Sequence, residues 1–300
     1  MRTLLALLFL AWPALAQDAP GVETPGAEVA DKPDEPQLVS VDLVGTVKTI
    51  HAGEKFLVGV RLRIEDGYHV YWRNPGDSGG ATEAQLRAPK GFSVGPVMYP
   101  APHRLEQAGG LTVYGYEGEA ILFFEVTAPA ELPDGRNTVF HGGARWLACK
   151  TECVPGRGVG QLRLGLSKRK PKKKIERPDG FATLGPHLAR LPRPLPQHES
   201  WKLRWLGTED KPILSIKLPK GTQGEFFPLE DDQNRFLRLR SMGGSVALHQ
   251  SFLVGEQVLP RVRGSLLITD GKKTVCYSIN RVWKDAPLVE PKNNRDKEGD

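Results

Sequence analysis

Two cysteines separated by three residues, Cys149 and Cys153, lie in the stretch Arg145-Trp146-Leu147-Ala148-Cys149-Lys150-Thr151-Glu152-Cys153-Val154-Pro155. A pair this close supports three chemistries: a redox couple, a clip for a soft metal, or a local staple. A disulfide here closes a very small ring, to which the chain-entropy model assigns only about 2 kcal/mol. Such a bond suits opening and closing better than bracing, and small rings tend towards higher reduction potentials. The reactive form is the thiolate, which a neighbouring cation favours. Lys150 and Arg145 supply that charge and Glu152 opposes it, so Cys149, beside Lys150, is the expected partner-facing nucleophile on charge. In exchange, one thiolate attacks a partner disulfide and the other cysteine resolves the mixed disulfide.

The elements that must hold this pair are strands. Val39-x-Val41-x-Leu43 and Phe56-x-Val58-x-Val60-x-Leu62-x-Ile64 alternate with period two, the mark of a strand with one buried face. Further strands are expected at 83–88, 120–127, 137–148 and 159–166, separated by Gly-, Pro- and Asp-rich turns. No segment sustains a helical apolar period beyond a short stretch at 181–191. Many short strands with regular turns predict an all-β chain, its first domain an immunoglobulin-like sandwich over 37–166. A second, smaller β domain over 200–286 follows from Trp201-x-Leu203-x-Trp205, Ile213 to Leu218, Val246-x-Leu248, Phe252-x-Val254, Leu266-x-Ile268 and Val275-x-Tyr277-x-Ile279. Cys276 falls mid-strand in that pattern and reads as a buried free thiol.

The flanks read differently. Arg2, an apolar run from Leu4 to Leu15 and Ala14-Leu15-Ala16 make residues 1–16 an expected export signal, too short to span a bilayer. Residues 17–36 have the Pro- and acid-rich composition of a disordered spacer. Residues 167–199 form a basic linker: Lys168 to Lys174 holds six cations in seven positions, either a solvated connector or a contact for anionic lipid head groups. Residues 287–300 read as a frayed tail. An exported chain of 300 residues with net charge +6 and three cysteines is neither a nucleic-acid binder nor a disulfide-stapled scaffold.

Three motifs in order carry a resemblance. Gly67-Tyr68-His69-Val70-Tyr71-Trp72-Arg73-Asn74-Pro75-Gly76-Asp77-Ser78-Gly79, Tyr114-Gly115-Tyr116-Glu117-Gly118, and Trp146-Leu147-x-Cys149-Lys150-x-x-Cys153-x-Pro155 resemble the amino-terminal periplasmic domain of the DsbD/ScsB thiol:disulfide interchange family. The second domain is similar to the extra β domain of the ScsB-like branch, through Phe226-Phe227-Pro228. The resemblance implies a periplasmic domain without cofactor, whose pair takes electrons from a membrane-embedded donor in trans and reduces thioredoxin-like oxidoreductases. It implies a tyrosine-bearing cap loop at Leu111-Thr112-Val113-Tyr114-Gly115, with Tyr71, Asn74, Gly115, Tyr116, Glu117 and Trp146 as supporting residues. In the better-known branch the second cysteine meets partners, which points to Cys153. That branch also spaces its cysteines more widely.

Two competing readings stay open on sequence. Cys-x-x-x-Cys-x-Pro is similar to the copper motif of Sco-type proteins, and soft thiolates suit Cu(I), with His141 the nearest histidine. A β-sandwich adaptor with an inert disulfide is the other. No P-loop or His-Glu-x-x-His pattern supports a nucleotide site or a zinc hydrolase.

Overall fold

The alternating stretches fold as antiparallel ladders. A computed structural model describes residues 38–169, 181–195, 202–208, 211–229, 234–242, 245–252, 261–271 and 273–282. The expected signal and spacer, residues 170–174 of the basic run, Trp201, Val254 and the tail lie outside them. No helix among the described residues is long and apolar enough to cross a membrane.

Eleven strands come first: β1 (Val39–Gly45), β2 (Thr49–His51), β3 (Lys55–Ile64), β4 (His69–Gly76), β5 (Glu83–Arg87), β6 (Ser93–Met98), β7 (His103–Gln107), β8 (Leu111–Glu117), β9 (Glu119–Thr127), β10 (Asn137–Cys149) and β11 (Cys153–Ser167). One sheet has the order β1-β3-β9-β6 and the other β2-β11-β10-β4-β8-β7, with β5 alongside β10. Together they make an all-β, immunoglobulin-like sandwich. Its core has Val60, Leu62, Leu122 and Phe124 from one sheet against Val70, Trp72, Tyr116 and Trp146 from the other. At the far end Phe140 takes the edges of Phe56 and Phe92, at 5.9 and 5.4 Å between ring centroids.

Strand β9 departs from the one-faced pattern. Ile121 and Phe123, on its outer face, are as buried as Leu122, because helix α1 (Phe181–Ala189) lays Leu184 and Leu188 over them. The short helix expected at 181–191 therefore roofs the sheet. Arg190 fixes its end: its side chain donates to the carbonyls of Ala101 and Pro102, and its own carbonyl accepts from Ala101 N–H at 2.8 Å.

Among the described residues eight more strands follow: β12 (Arg193–Pro194), β13 (Lys202–Thr208), β14 (Lys211–Lys217), β15 (Gln223–Pro228), β16 (Asn234–Met242), β17 (Ser245–Phe252), β18 (Arg261–Thr269) and β19 (Thr274–Val282). They form sheets of order β12-β19-β18-β15 and β13-β14-β17-β16. Phe227, Leu267 and Cys276 of the first of these belong to the same apolar cluster as Trp72 and Tyr114. The Phe227 ring meets Trp72 at 6.2 Å and Tyr114 at 5.7 Å, both edge to face. Asn74 Nδ2 donates to the Pro228 carbonyl at 2.8 Å, and Arg104 pairs with Glu225 at 3.4 Å.

Truncating this fully buried ring removes its transfer energy and leaves a cavity. Phe227→Ala is expected to cost about 3–5 kcal/mol, read as a lower urea midpoint in the full chain, with altered near-ultraviolet dichroism from Trp72 and Tyr114. A second expectation concerns pH. His69, His103 and His187 are each held below the ordinary 6.5, by burial first, against an opposing carboxylate (Glu117 for the first two, Glu119 for His187). The unfolded chain then binds more protons than the fold as pH falls. Stability is therefore full above about pH 6.5 and drops as pH falls through the lower, folded values. Urea midpoints that stay flat between about pH 7.5 and 5 would contradict this.

Candidate functional site

The two cysteines are the last rung of a ladder. Strands β10 and β11 pair without interruption from Asn137↔Gly165 to Cys149↔Cys153, and Lys150, Thr151 and Glu152 make the turn, with Lys150 N–H donating to the Glu152 carbonyl at 3.1 Å. The sulfurs are joined as a disulfide. On its other side Cys149 pairs with His69 of β4. Period-two alternation sends Trp146 and Ala148 into the sandwich core and Leu147 and Cys149 out of it. There Cys149 joins Tyr71 and Val113, with Leu105 and Leu147 at the margin, in a small apolar cluster on the back of the sheet. The sulfurs differ in access. Cys149 is 1% exposed, whereas Cys153 is exposed.

Tyr71 is buried and its hydroxyl lies 3.9 Å from Cys153 Sγ. The same hydroxyl accepts from Gln107 Nε2 at 3.0 Å, and that nitrogen is also 3.0 Å from His69 Nε2. The His69 and Tyr71 rings meet edge to face at 5.1 Å. A loop closes over the tyrosine. Gly76 N–H donates to Asn74 Oδ1, Asp77 N–H donates to the Thr112 carbonyl, and Thr112 N–H donates to Asp77 Oδ2. The loop then runs so close to the phenol that a Cβ on Gly79 would stand 2.2 Å from the ring, and Gly79 has φ +100°, a conformation that side-chain-bearing residues rarely adopt.

The expected supporting residues divide between two faces. The stretch expected as a cap loop, Leu111 to Gly115, is strand β8, paired on both sides by β4 and β7, because β-branched and aromatic residues there alternate between two buried faces. Its Val113 points to the cysteine cluster. Its Tyr114 points the other way, into the core, with the Arg104 guanidinium 5.7 Å from its ring. Tyr116 is also inward and donates to the Pro100 carbonyl at 2.7 Å. Gly115 stands opposite Tyr71, where a Cβ would come within 2.6 Å of the Val70 carbonyl. Glu117 stands opposite His69. Asn74 faces Pro228 as well as its own loop. Trp146 packs inward over Gly156, with room for no Cβ there.

The cations have other partners. Arg145 pairs with Glu83 at 2.6 Å, its neighbour in the β10–β5 register, and Lys150 lies 5.6 Å from the Tyr68 ring. The charge argument for Cys149 therefore loses both its cation and its access. His141 sits eight positions before Cys149 on the same extended strand, about 27 Å away at ~3.4 Å per residue, too far to share a metal with the pair. Among the described residues no three His, Cys, Asp or Glu side chains gather in a metal-binding group. Cys276 is fully buried, and burial pushes its thiol up to about 12.

His69 and Gln107 complete the site without having been singled out in the sequence. For His69 a signal existed, since Tyr-His-Val-Tyr read as a strand puts His69 and Tyr71 on one face. Gln107 has none: only the β7–β8 register brings it there.

Comparison with known proteins adds a family likeness over the first sandwich. Residues 35–162 match the family model described as thiol:disulfide interchange protein DsbD, N-terminal. Among solved structures, the N-terminal periplasmic domain of ScsB from Proteus mirabilis is similar, with TM-score 0.55 and 16% identity over 84% of this chain and 96% of that one. The N-terminal domain of DsbD from Neisseria meningitidis, in the reduced form, matches with TM-score 0.26 and 17% identity over 42% of this chain and 83% of that one. The first likeness establishes the fold. No curated protein sequence matches the chain.

The loop over Tyr71 yields a prediction. Gly79→Ala adds a methyl group into the ring and strains the backbone, at an expected cost of about 1–3 kcal/mol. The loop or the ring must move, so Cys149 in the reduced protein should react faster with a thiol reagent. Unchanged stability together with an unchanged Cys149 rate would show that the loop does not cover the pair.

Proposed function

Since residues 35–162 belong to the DsbD amino-terminal domain family, we propose that this chain performs periplasmic thiol:disulfide interchange through Cys149 and Cys153. A membrane-embedded dithiol donor reduces the pair, and the pair reduces disulfides on thioredoxin-like oxidoreductases. The observation that carries the reading is the asymmetry of the two sulfurs: one exposed and beside a hydroxyl, the other buried behind it.

The chemistry follows from that asymmetry. Cys153 is the sulfur a partner reaches, in either direction of flow. In the forward direction its thiolate attacks a partner disulfide. A mixed disulfide forms and one partner sulfur leaves with the electron pair. Cys149, 4.1 Å away between Cα atoms across the ladder, then attacks Cys153 Sγ, restores the internal disulfide and releases the second partner sulfur. The apolar surroundings of Cys149 keep water from the resolving sulfur. A staple is the weaker reading, because thirteen residues of unbroken pairing already define the hairpin that the bond would brace. A metal clip lacks a third ligand among the described residues.

With Cys276→Ser as background, reduced Cys149→Ala is expected to displace thionitrobenzoate from a thioredoxin-like protein whose single remaining cysteine carries it as a mixed disulfide, and to hold the protein–protein disulfide that results. Cys153→Ala, left with only the buried sulfur, should capture at least tenfold less on a non-reducing gel. Equal capture by both variants would sink the assignment of Cys153. A Cys149–Cys153 potential well below about −300 mV against glutathione would sink interchange itself.

A further inference from the structure

The polar contacts beside the pair have a direction that chemistry assigns. In the disulfide, Cys153 Sγ carries no hydrogen, so in its 3.9 Å contact the Tyr71 hydroxyl is the donor. A phenol has one hydrogen. Its oxygen is therefore free to accept, and it accepts from the Gln107 amide at 3.0 Å. The second hydrogen of that amide faces His69 Nε2, also at 3.0 Å. An amide nitrogen only donates, so this ring nitrogen accepts, and the imidazole is neutral with its proton on Nδ1. Burial favours that neutral form, with the Glu117 carboxylate opposite in the β4–β8 register pulling the other way. The chain of bonds thus runs outward from Gln107, one branch ending on the imidazole and the other on the exposed sulfur.

We propose that Gln107, which touches neither sulfur, is the positioning residue that aims the Tyr71 hydroxyl at Cys153 and so sets how readily that sulfur stands as a thiolate. The proposal rests on Cys153 being the reacting sulfur of the proposed function. When a protein dithiol reduces the pair, the Cys149–Cys153 bond breaks and its sulfurs take up the two electrons that the dithiol gives up. The partner's sulfurs join, one of its two protons goes to Cys149, and the other is released to solvent, leaving Cys153 as thiolate. A hydrogen bond donated to a thiolate stabilises the charged form and lowers its pKa.

The amide contributes in two ways. By donating to the phenol oxygen it leaves the phenol hydrogen only the sulfur to serve. By filling the lone pair of His69 Nε2 it removes the other acceptor that this hydrogen would find. Without it, the phenol can turn to the imidazole, and the sulfur loses its donor. Gln107 is well placed for a role that depends on the fold rather than on contact with a partner. It ends β7 just before the exposed turn Ala108–Gly110, and only its amide reaches inward.

The test reads the thiolate directly. In full-length protein carrying Cys149→Ala and Cys276→Ser, Cys153 is the single thiol, and its pKa follows from the pH dependence of alkylation by iodoacetamide. Tyr71→Phe is expected to raise that pKa by about one unit, a roughly tenfold slower reaction at pH values below it. Gln107→Met keeps the length and removes both donors, and should raise the pKa comparably. In the Tyr71→Phe background the same substitution should add less than a twofold further change. Gln107→Ala is a second variant with the same expectation, should the longer side chain disturb folding as judged by thermal melting. An unshifted pKa in Gln107→Met and Gln107→Ala, or an equal shift with and without the phenol, overturns the proposal. No partner protein enters this measurement. Failure of interchange with the shift intact would overturn the proposed function and leave the positioning role standing.

Discussion

The two-residue side-chain period of three neighbouring strands puts His69, Cys149 and Cys153 in one row across the sheet. Residues directly opposite on paired strands carry Cβ atoms ~4.5–5.5 Å apart on the same face. That constraint decides the rest of the site. It brings Tyr71, two residues along from His69, to the same face, and it sends Val70, Trp72, Trp146 and Ala148 to the core. The long β10–β11 ladder makes the register unambiguous, since a slip of one residue would turn every core side chain out to water. The chemistry is thus fixed by core packing several residues away from the sulfurs.

Two strands serve two neighbourhoods at once. In β4, Tyr71 faces the pair while Trp72 faces the core and Phe227. In β8, Val113 faces the pair while Tyr114 meets the same phenylalanine. Neither strand can shift to suit one face without disturbing the other. Interiors are packed too tightly to absorb such movement continuously. The sheet containing β15, β18 and β19 therefore acts as a backing for the strands that carry the cysteine environment. Asn74 adds to this with one amide that holds both its own loop and the Pro228 carbonyl.

Much of this was legible in the amino-acid sequence, for identifiable reasons. Alternation from Val39 to Val47 and from Phe56 to Ile64 encodes strands whatever surrounds them. The cysteine spacing, the Tyr71 to Gly79 motif and the Trp146 to Pro155 motif mark the site locally. What escaped depends on register between distant strands. Leu111 to Gly115 is a cap loop by resemblance until its pairing with β7 and β4 is known, and that pairing turns Tyr114 inward and Val113 outward. Lys150 and Arg145 look poised to polarise Cys149 until Tyr68 and Glu83 are found to engage them. His141 is near Cys149 in number but far along a straight strand. Ile121 and Phe123 make β9 look like an anomaly until helix α1 is laid over them.

The third cysteine acquires a meaning from its surroundings. In the proposed interchange the chain meets activated sulfur at every turnover, and any bystander thiol is a route to scrambled pairing. Scrambling needs both a path and a thiolate. Cys276 offers no path, being walled in with Tyr116 and Leu267. Burial pushes its thiol up to about 12, so it stays protonated at neutral pH. The odd cysteine is thereby quarantined from the other two, so that in the proposed exchange fidelity is protected by a side chain that takes no part in it.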